Sequence, residues 1–422
     1  MRHQLARTVR TTVATVSIAV VLLAASSCAP QGPDGTGGGG TTTTTLPVQP
    51  LTVSMIKAGS DTACALLTDG TVRCWGRVAT VDVGGGSFQS VTSSLPVQVD
   101  GLTDVTQIAV GVGHRCAIRS DHTVWCWGSN RTGQLGRGGP IDSNGYVDTV
   151  ETRAPGIVDG VTGAVQVAAG NGTSCAIVID GRVQCWGSNN RGQMGNGSVV
   201  NSSPTPTYVT GISNAISITA GSDFTCAVLA QGTAKCWGNN SAGLLGNGST
   251  GQASLGYLEK TPVSVAGLTQ AITISTSARD SSVVCALLST GTVKCWGGNN
   301  VGQLGTGTNG STSLVPVGVS SIASATSIAV SSLGACALLI DGTAKCWGYN
   351  ASGELGNGTT TNSPSPIAVA AIADATAIAA SSNTGYVLTA TGSAKSWGYN
   401  SAGQLGNGTF ADSPSPVLVQ LP

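Results

Sequence analysis

Charge is scarce in this sequence. Only 9% of its 422 residues are Asp, Glu, Lys or Arg, and 19 bases balance 19 acids. Disorder needs high net charge and low hydrophobicity, and a chain with 41% hydrophobic residues offers neither. No basic stripe is available to neutralise phosphates, which excludes nucleic acid and anionic membrane surfaces as partners. Aromatics make up only 4%, and histidine occurs three times, at His3, His114 and His122. No long helix-period pattern is found either. What fills the chain instead is Gly (61 residues), Ser, Thr and Val, a composition of short strands joined by tight turns.

The N-terminus reads as a targeting segment. Arg2, Arg7 and Arg10 precede an apolar stretch, Thr11 to Ala25, of about 15 residues, short for a membrane span and suited to a secretory signal. Ala25-Ser26-Ser27-Cys28 resembles the lipobox of bacterial lipoproteins, with Ala25 where leucine is usual. That resemblance implies a signal peptide over 1–27 and lipidation of Cys28; plain secretion, with Cys28 lost or left free, is the other reading. Residues 28–50, rich in Gly, Thr and Pro, read as a flexible tether. The signal carries three arginines and no acid, so the remaining chain has 16 bases against 19 acids, a net charge of −3. An exported chain meets an oxidising compartment, where paired cysteines are expected.

The rest, 51–422, repeats. CALLTDGTVRCWG begins at Cys64, and related stretches begin at Cys116, Cys175, Cys226, Cys285 and Cys336. A seventh copy, YVLTATGSAKSWG, starts at Tyr386 without cysteine. The tryptophans Trp75, Trp127, Trp186, Trp237, Trp296, Trp347 and Trp397 recur every 50 to 59 residues. Each copy divides into a proline-led apolar piece such as Pro96–Val99, a second apolar piece such as Gln107–Val110, and the two arms of a cysteine hairpin. That order makes the hairpin the third and fourth strands of a unit. Seven four-stranded units, each too small to bury a core alone, are best packed radially. The sequence therefore predicts an all-β, seven-bladed β-propeller of four-stranded antiparallel blades. Pro416–Val419, a first-strand pattern with no hairpin after it, is expected to join the first blade and close the ring. Leu46-Pro47-Val48 is the competing candidate.

Two cysteines ten positions apart could hold a metal, run redox chemistry or staple a hairpin. Cys64 and Cys74 are symmetric about Asp69, so a three-residue loop with a left-handed third position places them opposite each other. That position is glycine in six copies and His122 in the second, a residue type enriched among the exceptions with positive φ. Zinc sites and redox pairs favour CxxC spacing, and redox pairs occur once. In the seventh copy both cysteines are lost together, to Tyr386 and Ser396, as a covalent pair predicts. The expected disulfides are Cys64–Cys74, Cys116–Cys126, Cys175–Cys185, Cys226–Cys236, Cys285–Cys295 and Cys336–Cys346, each contributing about 2–3 kcal/mol.

A second signature follows each hairpin: WGSNRTGQLGRG from Trp127, WGSNNRGQMGNG from Trp186, and similar runs from Trp237, Trp296, Trp347 and Trp397. With its period and trailing proline, this resembles the regulator-of-chromosome-condensation repeat family, whose members are seven-bladed propellers. The asparagines from Asn130 to Asn400 are expected to cap a turn, and Leu135, Met194 and their counterparts to enter the core. The first copy, WGRVATVDVGGG, lacks the Asn and Gln, so its following loop is expected to be remodelled. The family's histidine before the hairpin survives only as His114. Nuclear members act on a small GTPase and bind chromatin, partners out of reach of an exported chain.

No catalytic set, cofactor fingerprint or metal cluster can be picked out. The two longest intervals gain length between the Gly-rich signature and the next strand. They bring Tyr146, Asp148 and Glu151 in one loop, and Tyr257 and Glu259 in another, on one face of the ring, as candidate partner contacts. The expected function is a non-enzymatic, exported and membrane-tethered interaction scaffold, a monomer binding a protein or cell-envelope component and touching the membrane only through its lipid. Alternatives are a secreted enzyme inhibitor, since a bacterial propeller of this family inhibits beta-lactamases, and an envelope enzyme at the ring centre with His114 as base.

Overall fold

Alternating short runs of Val, Ile, Ala and Thr between glycine turns produce strands in every copy of the repeat. The computed structural model describes residues 51–84, 87–147, 153–250 and 257–421, leaving aside the side chains of 79–90 and 153. The first blade consists of β1 (Val53–Gly59), β2 (Thr62–Leu67), β3 (Val72–Gly84) and β4 (Ser87–Gln98), hydrogen-bonded in that order. Six more four-stranded antiparallel sheets follow, from β5 (Val105–Val110) to β28 (Ser413–Leu418), giving seven blades in chain order. The first strand of each blade lines a central channel.

The blade boundary lies one strand away from where the sequence pattern places it. The cysteine hairpin forms the second and third strands, and the proline-led piece is the outer, fourth strand of the same blade. Thus Pro96 and Val97 belong to β4, where Val97 pairs with Cys74. The physical reason is the edge: a proline has no N–H for a second neighbour, so it suits a strand paired on one side only.

The same shift corrects the expected ring closure. β28 pairs with β27 (Ala394–Gly398) through Lys395↔Leu418, Ser396↔Val417 and Gly398↔Ser413. It completes the last blade, not the first, which already owns β4. Leu46-Pro47-Val48 lies outside the described residues. The ring closes instead by the contact that joins every other pair of blades. The Val53 N–H donates to the Gly392 carbonyl at 3.1 Å, just as Val105 N–H donates to Gly70 at 3.1 Å and Ala215 N–H to Gly181 at 2.9 Å. In the second copy the acceptor is His122, with φ of 62° as the turn requires.

All six expected disulfides are present, with Cα atoms 4.0–4.1 Å apart in directly opposed register. Each faces the tryptophan of the next blade: Cys116–Cys126 shares a buried cluster with Trp186, Cys175–Cys185 with Trp237, and Cys226–Cys236 with Trp296. The core is therefore a set of interfaces between blades. Six of these tryptophans are fully buried, and truncating one to alanine costs about 3–5 kcal/mol.

Candidate interaction face and central channel

A blade that runs up, down, up and down has its first-to-second and third-to-fourth connections at the same end. Around the ring these ends make one face. The inner turns form a collar at the channel mouth: Val112 N–H donates to Gly170 O at 3.0 Å, Asn171 to Gly221 at 3.1 Å, and Ser332 to Ser382 at 3.1 Å. Ser382 N–H closes the collar on Ser60 O at 3.4 Å. Arg279, in the fifth blade, reaches across the ring to Ser60 Oγ (3.2 Å) and Asp61 Oδ2 (3.4 Å) in the first. Asp61 is held there by Arg77 as well, at 3.1 Å.

Outside the collar, the regular third-to-fourth loops are committed to structure. Asn189 Oδ1 accepts from Met194 N at 3.0 Å, and Asn400 Oδ1 from Leu405 N at 2.8 Å, so the asparagines cap their turns as expected. Gln193 turns its Oε1 onto Arg191 N at 2.8 Å, while its backbone carbonyl accepts Trp237 Nε1–H at 2.8 Å. The same carbonyl position takes the next blade's indole at Gln134, Leu244, Gln303, Glu354 and Gln404. Gly195 permits that approach, because a Cβ there would stand 2.6 Å from Trp237 Nε1. The signature is an inter-blade latch.

The first blade has no such loop. Its β3 and β4 continue past the motif as a long hairpin, paired as far as Gly84↔Ser87. Strand-forming residues on either side of Gly84-Gly85-Gly86, Val81 and Val83 before it and Phe88 and Val91 after it, are the sequence signal for it. Among the described residues the first blade offers no latch carbonyl, and Arg115 crosses the seam instead. Its Nη2 donates to Thr62 Oγ1 at 2.7 Å and to the Arg77 carbonyl. Burial lowers the Arg115 pKa to about 10, so it stays charged at neutral pH without a carboxylate beside it.

The sequence-selected contact residues are not brought together. Tyr146 lies half-buried in the second blade's loop under the Arg131 guanidinium, 5.1 Å from its ring. That loop leans on the third blade, where Ser202 Oγ donates to Gly145 O at 2.6 Å and Asn201 Nδ2 to Asn144 O at 2.7 Å. Tyr257 is 39% exposed in the fourth blade's loop. Glu259, in β16 (Leu258–Ser264), pairs with Gly238. Asp148, Glu151 and Cys28 lie outside the described residues.

His114 does not face the channel. It is fully buried between the second and third blades, with Nε2 2.9 Å from Ser174 Oγ. Ser174 Oγ–H donates to Gln134 O at 2.9 Å, so the imidazole must be the donor in that pair. Burial drives its pKa down to about 4, against a smaller opposing pull from the Val112 backbone, so the ring is neutral at pH 7. This is a strut between blades. Among the described residues no three His, Cys, Asp or Glu side chains gather as metal ligands. No helix among them is long and apolar enough to cross a membrane.

Seven four-stranded blades, six of them braced by a disulfide and six of the seven seams closed by an indole latch, define a repeat propeller. The sequence matches the family description "Regulator of chromosome condensation (RCC1) repeat" over 121–177, 180–228 and 290–338, and again over 53–77, 105–134, 164–193, 215–244 and 375–404. The chain belongs to that family. Human "Probable E3 ubiquitin-protein ligase HERC6" is 30% identical over 209 residues, 48% of this chain and 20% of that protein. Human "E3 ubiquitin-protein ligase HERC2" is 25% identical over 259 residues, 60% of this chain and 5% of its own length. The chain thus spans a fifth or less of these relatives. Human WBSCR16 matches in structure with a TM-score of 0.68 at 20% identity, covering 84% of this chain and 94% of that one. Yeast RCC1 (Prp20), in its complex with Kap60, matches with a TM-score of 0.68 at 22% identity, covering 88% and 85%. These structural likenesses speak to the fold.

Proposed function

We propose that this chain is an exported, surface-tethered interaction module that binds a protein partner through the face carrying the third-to-fourth strand connections. The observation that carries this reading is where the irregularity falls. The long hairpin of the first blade and the extended loops of the second and fourth all leave from that face, while the repeating loop residues are taken up in latches and caps. A braced ring with variable loops at one end suits recognition, because the partner meets surfaces already held in place. The solved relative from yeast carries a protein partner in its own structure, Kap60. Six disulfides accord with an oxidising compartment.

On this reading residues 1–27 are a signal peptide, Cys28 carries the lipid, 28–50 form the tether, and the propeller acts as a monomer without chemistry of its own. The partner is a protein or another envelope component, and an enzyme held inactive is one form it can take. The test is capture from native envelope using the mature chain. Tyr257→Ala together with Tyr146→Ala should reduce recovery of the captured partner at least tenfold while leaving the melting temperature in place. Equal recovery by both proteins would remove the face from consideration. Metabolic labelling with a fatty acid analogue, lost in Cys28→Ser, tests the anchor.

A further inference from the structure

Among the described residues the channel wall carries one charge. Strand register makes the positions opposite the first hairpin cysteine equivalent: Lys57↔Cys64, Ala109↔Cys116, Ala168↔Cys175, Thr219↔Cys226, Ser275↔Cys285, Ala329↔Cys336 and Ala379↔Tyr386. Six are small, and the first blade alone presents an ammonium group. Lys57 lines a cavity of about 270 Å³ bounded by all seven inner strands. Its side chain is open to that space yet enclosed by protein, and desolvation lowers its pKa from the ordinary lysine value. Among the described residues it forms no ion pair or hydrogen bond, and none of the lining residues is acidic.

Two glutamines in the same wall are oriented as donors. Gln107 Oε1 accepts from Val167 N at 2.7 Å, and Gln166 Oε1 accepts from Ile218 N at 2.9 Å, each on the neighbouring blade. Those bonds fix the amides and commit their oxygens, which leaves both Nε2 groups without a protein acceptor among the described residues. Asp61 and Asp280, acids near the mouth, are engaged by Arg279, with Arg77 also on Asp61. The channel thus holds an uncompensated cation and oriented N–H donors within one enclosed space, an arrangement that concentrates anions. Its volume lies below the usual ~300–1,000 Å³ of ligand pockets, and Arg279 stands across one end, so the guest must be small.

We infer that the channel is a binding site for a small oxyanion, a carboxylate or a phosphate, held by Lys57 Nζ with Gln107 and Gln166 Nε2. The site is separate from the loop face proposed for the partner.

Calorimetric titration of the whole mature chain, run separately with inorganic phosphate and with succinate in an anion-poor buffer, tests it. At least one probe should saturate at a single site, and which one does so identifies the anion class. Lys57→Met should weaken that binding tenfold or more, and Lys57→Arg should retain it. The isosteric Gln107→Glu should also abolish it by placing a carboxylate in the wall. NMR of isotopically labelled lysine should show the Lys57 pKa rising when the bound probe is added. Saturable binding that survives unchanged in Lys57→Met and Gln107→Glu, or no saturable binding of either probe, would overturn the assignment.

Discussion

Tyr386 stands edge-on to Trp75, with ring centroids 6.3 Å apart and planes at 68°. Both donate to one acceptor, the Gln404 carbonyl, Tyr386 Oη at 2.9 Å and Trp75 Nε1 at 2.7 Å. This pair joins the last blade to the first. At the other six interfaces a disulfide faces the incoming tryptophan; here a tyrosine fills that place and adds a hydrogen bond to the latch. The loss of both cysteines in the seventh copy is thus a change of closure chemistry, at the one interface where the ends of the chain must meet.

Tyr386→Phe keeps the ring and removes the bond to Gln404, so it should cost about 1 kcal/mol. Tyr386→Ala also opens a cavity against Trp75 and should cost about 3–5 kcal/mol. Denaturant unfolding followed by tryptophan fluorescence measures both. Hydrogen exchange should rise first in 53–59 and 375–389, the strands along this seam.

Tyr386 and Ser396 are opposed in the same register as the cysteine pairs. The double variant Tyr386→Cys with Ser396→Cys should therefore form a seventh disulfide, visible as a mass 2 Da below the reduced form of that pair (about two hydrogens lost per bridge). The first-to-last seam, deprived of its tyrosine, should gain less stability than the ~2–3 kcal/mol that loop closure alone would provide.

Arg115 is buried with no carboxylate partner among the described residues, and Thr62 Oγ1–H already donates to Arg77 O at 2.7 Å. Removing the guanidinium therefore does not orphan that carbonyl. Arg115→Met should change stability by less than about 1 kcal/mol or raise it, as replacement of a buried charge by an apolar isostere often does. Arg115→Ala, which leaves a cavity, should cost about 2–3 kcal/mol. Thermal unfolding of the two variants separates the packing from the charge.

The His114 pKa falls to about 4 on folding from an ordinary 6.5, because burial penalises the imidazolium. Between those values the unfolded chain binds the extra proton. The strut's contribution is complete above about pH 6.5 and is lost as pH falls toward 4, on the order of 3 kcal/mol in all. Urea midpoints should drop across that window, and in His114→Gln the drop should be smaller by that amount.

The features legible in the sequence were local ones. The cysteine pairs lie ten residues apart, the cap runs from Asn189 to Met194, and both ends of each contact fall inside one motif copy. The phase of the blade was not legible, since a repeating pattern has no intrinsic start, and assigning Pro96–Val99 to the wrong end of a unit carried the error through to ring closure. Arg279 and Asp61 sit 218 positions apart, and nothing in either neighbourhood announces the other. Lys57 stands out only through the strand register, which sets it level with six small residues of the other blades. The contact loops were legible as insertions; that Tyr146 leans on Arg131 and on the third blade was not.

Photo-crosslinking in native envelope shows directly which face of the propeller meets the partner. A benzophenone amino acid placed at Tyr146 or Tyr257 should capture the partner. The same probe at Ile179 or Ile340, apolar residues 79% and 78% exposed in the hairpin turns at the opposite end of the blades, should not. Capture from Ile179 and Ile340 alone would put the partner on the other face and contradict the proposed one.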